Sequence, residues 1–408
     1  MHTRFQQIVA YGDAMLTIEP MELDGPIDWA LPPSKSHMIR WLVLAAQSEG
    51  ETVLSFDGEP GEDILSMAEC LRQLGAGINQ SDSQWSVTGV GAGGFNGPEG
   101  VLDCGNSGTA VRFLTAIAAG IESEVMLDGD ASLRRRDLSA LNSALRELGC
   151  KISSDAVPLS VKGPIGTGGT HLETRSSSQP LSALLLASPG YSGPLHIGLS
   201  EGSVSRGYAR LSFELAELCG SPNRLDGGIL VIEPWRVSAP DAVGIPDETS
   251  LLPMAMLMSE LHCVEVGVRG WDNELSPALM ALSEQASDLD LRDESDVITP
   301  AAALLALVRG GRITGAAHSR GKESDRILRT VETLAAFGMA SNATEDGIEI
   351  PGGQVPVRPE SPVETHGDHR IAMTAMVLAS KVGGTIVNPE ICAVTDPRFT
   401  ERLSGLES

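Results

Sequence analysis

The sequence predicts an α+β protein of two domains, with helices laid behind small mixed sheets. Three observations lead there. The chain has 408 residues and is 42% hydrophobic, which at about 150 residues per domain is enough for two or three cores. A phrase of helix, glycine and strand recurs along it. Short strand-like runs alternate with turns rich in Gly, Pro, Asn and Asp.

The recurring phrase reads LRQLGAGI at Leu71–Ile78 and LRELGCKI at Leu145–Ile152, with echoes at Leu215–Gly220 (LAELCG) and Leu334–Ala340 (LAAFGMA). Each predicts an amphipathic helix whose Leu stripe faces a neighbour and whose glycine supplies a left-handed C-cap. A period of about seventy residues is too long for a solenoid and suits an α/β unit used several times. Strands are predicted at Glu51–Phe56, Trp85–Val90, Val125–Asp128, Leu195–Leu199, Ile229–Ile232 and Arg312–Thr314. Strands and helices interleaved with tight turns give α+β layers. The glycine-rich stretch Gly89–Gly100 carries no lysine and reads as a hairpin connection. No GxGxxG follows a strand, and GxxxxGK[ST] is absent. Prolines break the rhythm at Pro234–Pro246. A second crossing near Gly25–Pro32 would return the N-terminal strand to the C-terminal half. The expected domains are therefore 1–25 plus 236–408, and an inserted 26–235.

Composition narrows the partners. Asp plus Glu number 54 against 29 Lys plus Arg, a net charge of -25. Such a surface repels nucleic-acid backbones and anionic membranes, and its acid-rich, Lys-poor make-up suits a salty medium. An anionic ligand must be held by a few cations gathered in a pocket. Six cysteines without a CxxC pair suggest free thiols in a reducing compartment, with neither structural zinc nor a disulfide framework. The opening MHTRFQQIVAYGD has no apolar leader core, and no apolar run is long enough to span a bilayer. The expectation is a cytoplasmic protein.

Four segments open a helix from a small-residue turn with a cation at or near its start. Pro32–Arg40 offers Ser34, Lys35, Ser36 and Arg40; Cys104–Thr109 leads to Arg112; His318–Arg326 contains Lys322, Glu323 and Arg326; Gly367–Arg370 precedes IAMTAMVLA. Free N–H groups and a cation make an anion seat, although Ser, Asn and Asp there are also ordinary N-caps. Asp368 reads as such a cap, and His369 as a residue satisfying a backbone group. Lys322 and Arg326, four apart, share a helix face, and Glu323 beside them suits general acid or base work. Leu133–Asp137 crowds three arginines together, Ser176–Gln179 offers hydroxyls and an amide, and Asp296 precedes an apolar helix where it could cap or take a proton. Cations at helix starts in both halves point to a ligand with two anionic groups, held in a cleft between the domains.

Taken together and in order, LPPSKSHMIR, CGNSGTAVRF, GDASLRRRD, SSSQPLSALLLASP, VSRGYAR, SDVITPAAALLAL, GKESDRI and GDHRIAM resemble the enolpyruvyl transferase family over nearly the whole chain. The resemblance implies a two-domain inverse β/α-prism, each domain built from three βαβαββ units. It implies transfer of the enolpyruvyl group of phosphoenolpyruvate to the 5-hydroxyl of shikimate 3-phosphate, with release of phosphate, by a monomer needing no metal or organic cofactor. By the same resemblance Lys35, Asp296 and Glu323 are catalytic. Lys35, Ser36, Arg40, Ser177, Ser178, Gln179, Ser205, Tyr208, Asp296, His318 and Lys322 hold shikimate 3-phosphate. Lys35, Asn106, Gly108, Arg136, Gln179, Arg326 and Arg370 hold phosphoenolpyruvate.

Three positions depart from the family pattern. The final Cys392–Phe399 stretch has no lysine, with Arg398 the nearest cation; Asp137 stands where a proline usually follows the arginine; His318 stands where an asparagine often precedes the Lys-Glu pair. A family member with another hydroxylated acceptor and a catalytically weakened anion binder are the other readings. The relative acting on UDP-N-acetylglucosamine typically has a loop cysteine, which GDASLRRRD lacks.

Overall fold

A computed structural model describes residues 6–9, 14–268 and 275–407. Most of the opening stretch inspected for a leader, residues 1–5 and 10–13, lies outside the described residues. The chain divides into two units, Pro33–Pro246 and Met1–Pro32 with Asp247–Ser408. These boundaries fall later than the expected 26 and 235 for a physical reason. Ile27–Trp29 pairs in parallel with Val266–Val268, and Ala242–Gly244 pairs in parallel with Val53–Ser55, so each segment stays with the strand it bonds.

The unit Pro33–Pro246 contains the same βαβαββ pattern three times. In the second copy, Val101–Asp103, helix Gly108–Ala118, Val125–Asp128, helix Ser139–Glu147, Lys151–Ile152 and Leu159–Lys162 follow in order. The first two strands pair in parallel and the closing hairpin adds antiparallel strands, the last strand lying inside the third. The third copy runs from Gly168–Leu172 to Ile229–Ile232 with identical pairing. The first copy takes its opening strand, Ala242–Gly244, from the far end of the unit. Gly89–Gly100 is therefore no hairpin connection: it carries the chain from Gln84–Thr88 to Val101–Asp103 in a different sheet.

The second unit uses the pattern again. Asp288–Asp290, helix Ile298–Leu307, Gly310–Thr314, helix Arg326–Ala336, Asn342–Ala343 and Ile348–Pro351 make one full copy. A second opens at Val363, bridged in parallel to Ile386, and runs through helix His369–Val382 and strand Gly384–Val387; strands Ala14–Ile18 and Gln6–Val9 from the chain's start complete it. The third, Ile27–Trp29, helix Leu252–His262, Val266–Val268 and helix Pro277–Ser283, passes into Asp288–Asp290 too soon for a closing hairpin among the described residues.

The glycine phrase marks equivalent points of these copies. Gly75, Gly149, Gly220 and Gly338 all have positive φ, between 73° and 110°, which a residue with a Cβ adopts at a cost. The first helix of each copy is buried on nearly all faces; Met38 to Ala46 are buried without a break. Helices of this kind form the centre of each unit's own hydrophobic core.

Candidate active site

In the unit Pro33–Pro246 the predicted residues gather at the N-termini of the three inner helices, Lys35–Ala46, Gly108–Ala118 and Gln179–Ala187. None of the three has an acidic residue in its first turn, and neither Ser34 nor Ser178 caps through its side chain. No carboxylate of their own first turns therefore neutralises the positive ends of these three helices. Lys35 Nζ lies 3.0 Å from Asp63 Oδ2. Arg136 is buried and donates to Asn106 Oδ1 at 2.6 Å and to Ser132 Oγ at 3.4 Å. Asn106 in turn donates to Asp130 Oδ2 at 2.6 Å. Arg112 donates to the carbonyl of Gly108 and to Gln179 Oε1, each at 2.9 Å, and to the carbonyl of Asp137 at 2.8 Å. Gly108 is where these meet: a Cβ built there would stand 2.9 Å from the Arg136 guanidinium and 3.1 Å from that of Arg112. Any larger residue displaces two cations.

The hydroxyl-bearing candidates are joined to one another. Ser178 Oγ donates to the carbonyl of Ser205 at 2.8 Å, Ser177 Oγ accepts from the Gln179 N–H at 3.1 Å, and Gln179 Nε2 donates to Thr109 Oγ1 at 3.0 Å. Ser205 sits in the left-handed region at the start of helix Arg206–Leu218, which carries Tyr208. Arg40 faces inward: its guanidinium reaches Ser212 Oγ at 2.8 Å and the carbonyls of Ser36 at 2.8 Å and Tyr208 at 3.1 Å, over the Phe113 ring. Burial brings its pKa down to about 10, so it remains a cation at neutral pH.

The other unit assembles carboxylates, again at inner-helix N-termini. Asp296 precedes helix Ile298–Leu307, and Asp368 caps helix His369–Val382 by accepting from the Arg370 N–H. Arg326, 1% exposed, is the hub. It donates to Asp296 Oδ1 at 2.6 Å, Glu323 Oε2 at 2.5 Å and Asp368 Oδ2 at 2.8 Å. Lys322 Nζ adds a second cation 2.7 Å from Asp296 Oδ1. Burial alone would raise the Asp296 pKa; Lys322, Arg326 and Arg370 outweigh it and hold the carboxyl well below its ordinary value. Lys322 is pulled down, by burial first and Arg326 next, against Asp296. The half-buried His318 is lowered to about 4 by burial first and by Lys322 next, so its ring is neutral at neutral pH.

Several participants escaped sequence reasoning. Asp63 looks like an ordinary acidic residue in the first turn of helix Glu62–Gln73. Asp130 is hidden among polar loop residues, although its carboxylate also accepts from the Leu133 N–H at 2.7 Å. The crowded arginines separate: Arg134 forks onto Asp128, Arg135 reaches the Ala131 carbonyl, and Arg136 turns inward. Asp137, in place of proline, accepts from the N–H and hydroxyl of Ser139 and so steadies the start of the next helix. Arg398 forks onto Glu401 on the surface. Asp396 is buried and ion-paired with Arg402, which stacks over Trp29.

Comparison with known proteins bears on the family and the fold. The family model described as EPSP synthase (3-phosphoshikimate 1-carboxyvinyltransferase) matches residues 19–207 and 258–403. A 3-phosphoshikimate 1-carboxyvinyltransferase of Methanocorpusculum labreanum is 31% identical, covering 92% of this chain and 94% of that one. One of Halobacterium salinarum is 29% identical, covering 96% of this chain and 98% of that one. An EPSP synthase structure from Acinetobacter baumannii superposes with a TM-score of 0.76 at 22% identity, over 96% of this chain and 98% of that one, and shares the fold. With family match, relatives and fold in agreement, the chain belongs to the EPSP synthase (3-phosphoshikimate 1-carboxyvinyltransferase) family.

Proposed function

We propose that the two clusters serve one reaction, the first holding anions and the second moving protons. The reaction joins the enolpyruvyl group of phosphoenolpyruvate to the 5-hydroxyl of shikimate 3-phosphate. In the addition step Glu323 gives a proton to the methylene carbon, the 5-oxygen bonds to the adjacent carbon, and Asp296 takes the hydroxyl proton. The intermediate carbon then bears ether oxygen, phosphate, carboxylate and methyl. In the elimination step the bond between that carbon and the phosphate oxygen breaks, the proton held by Asp296 passes to the departing phosphate, Glu323 recovers a methyl proton, and the vinyl ether remains beside inorganic phosphate.

The observation that carries this reading is that Asp296 and Glu323 are both bound by the one guanidinium of Arg326, at 2.6 and 2.5 Å. A base and an acid on a shared rigid anchor keep a fixed separation. Asp296, held ionised by Lys322, Arg326 and Arg370, becomes a competent base when a substrate hydroxyl takes the place of Lys322, whose ammonium then turns to shikimate 3-phosphate. Lys35, Asn106, Gly108, Arg136 and Arg370 hold phosphoenolpyruvate, with Lys35 following the charge that develops on the leaving phosphate. Ser36, Ser177, Ser178, Gln179, Ser205 and Tyr208 present polar groups to shikimate 3-phosphate. Arg40, bonded to the carbonyls of Ser36 and Tyr208, acts by positioning them.

Six unpaired thiols support a reducing, cytoplasmic setting, and the same reading takes the enzyme as a monomer. The test is release of inorganic phosphate. Release that requires both substrates supports the reading, whereas phosphoenolpyruvate binding without turnover defeats it.

A further inference from the structure

Arg370 is the cation at the start of the longest helix, and its guanidinium is held in an unusual way. It is 3% exposed. One residue supplies its side-chain hydrogen bonds among the described residues: the carbonyl of Ser250 accepts from one terminal nitrogen at 3.2 Å, and Ser250 Oγ accepts from the other at 2.7 Å. The buried Nε has no hydrogen-bond partner among the described residues. The orientation of the guanidinium plane thus rests on Ser250.

Ser250 is oriented in its turn. Its hydroxyl donates to Glu248 Oε1 at 2.5 Å, and Glu248 is itself buried. A hydroxyl that gives its single proton to a carboxylate has only lone pairs left for the guanidinium. The link therefore has a fixed sense, from Arg370 to Ser250 to Glu248, and the carboxylate strengthens the hydroxyl as an acceptor. Neither residue lies in a motif that the sequence singled out; both are in the turn leading to helix Leu252–His262.

We propose that Ser250, braced by Glu248, is a positioning residue that presets Arg370 for the carboxylate of phosphoenolpyruvate. This rests on the reading of Arg370 as a phosphoenolpyruvate ligand. A planar carboxylate meets a planar guanidinium through two parallel bonds, so a small rotation of the plane weakens both. A cation that must be found in one orientation gains affinity from being held there before the substrate arrives.

Steady-state kinetics of Ser250→Ala, Ser250→Thr, Glu248→Ala and Arg370→Ala test it, each with both substrates varied. Ser250→Ala should raise KM for phosphoenolpyruvate about tenfold, with kcat and KM for shikimate 3-phosphate within about twofold of the parent. Ser250→Thr keeps a hydroxyl and should restore most of the affinity. Glu248→Ala, which leaves Ser250 in place, should raise the same KM by about threefold and serves if Ser250→Ala does not fold. If Arg370→Ala leaves KM for phosphoenolpyruvate unchanged, the underlying reading fails. If Arg370→Ala raises it but Ser250→Ala and Glu248→Ala do not, the positioning role fails. Equal losses in kcat and both KM values, unrescued by threonine, would show a merely structural contact and overturn the proposal.

Discussion

The two units place three inner-helix N-termini to opposite electrostatic ends. In Pro33–Pro246 the inner helices carry no carboxylate in their own first turns, Asp63 reaching Lys35 from another helix, and the arginines beside them reach oxygens without formal charge, such as Asn106 Oδ1, Gln179 Oε1 and the Gly108 carbonyl. In the other unit Asp296 and Asp368 stand at the helix starts, and Arg326 with Lys322 neutralises them. In the proposed reading one repeated frame yields an anion seat where the helix ends stay positive and a proton-handling site where carboxylates fill them. The fold sets where a side chain arrives, and a few residues per helix start decide what it does there.

The contrast breaks most visibly at the arginines. Arg326→Ala takes the shared guanidinium from three buried or partly buried carboxylates, and should cost about 3–5 kcal/mol of stability along with turnover, read by denaturant unfolding. Arg136→Ala strands an amide and a hydroxyl, and should leave the fold within about 1–2 kcal/mol while weakening phosphoenolpyruvate binding. Equal destabilisation by both would erase the distinction. Next in size, Glu323→Gln should cut turnover at least about a hundredfold with an unchanged melting temperature. Lys35→Ala should do the same, and near-parental rates in either variant would reject its catalytic assignment.

Smaller effects sharpen the picture. Gly108→Ala should raise KM for phosphoenolpyruvate about tenfold, because its methyl meets two guanidinium groups at once; an unaltered KM would mean that these cations do not touch the substrate. The acid response of the carboxylate unit has a definite sign. The folded-state pKa of Asp296 lies below its ordinary value, so its contribution to stability is complete above about pH 4 and is lost as the pH falls through the folded value. Lys322→Met removes a lowering charge, so loss should begin at higher pH, visible as an upward shift of the acid-unfolding midpoint. Arg398→Ala should change KM for phosphoenolpyruvate by less than about twofold, since this exposed arginine forks onto Glu401. A larger rise would make Arg398 the replacement for the absent lysine.

The repeat was legible because helix C-caps leave a local mark: Gly75, Gly149, Gly220 and Gly338 occupy equivalent positive-φ positions after helices. The predicted strands also appear, among them Val125–Asp128, Leu195–Leu199 and Ile229–Ile232. What distance hides was not legible. The parallel partner of Val53–Ser55 comes from Ala242–Gly244, a pairing with no trace in local periodicity, and the loop Gly89–Gly100 joins two sheets where composition suggested one hairpin. Motif spacing brought forward the cations but not their counterparts. Asp63, Asp130 and Ser250 are common polar residues in turns and first turns, and only tertiary packing gives them Lys35, Asn106 and Arg370 as partners. The inward course of Arg40 was equally invisible, because the motif fixes where its backbone lies and packing decides where its guanidinium goes.

The division of labour between the units is tested most directly by single-turnover kinetics of Glu323→Gln and Arg136→Ala, followed as phosphoenolpyruvate is raised to saturation with shikimate 3-phosphate in excess. The account predicts that Arg136→Ala recovers to within about tenfold of the parental rate at saturation, while Glu323→Gln stays at least about a hundredfold slow at every concentration. A Glu323→Gln enzyme rescued by phosphoenolpyruvate, or an Arg136→Ala enzyme that saturation cannot help, would contradict it.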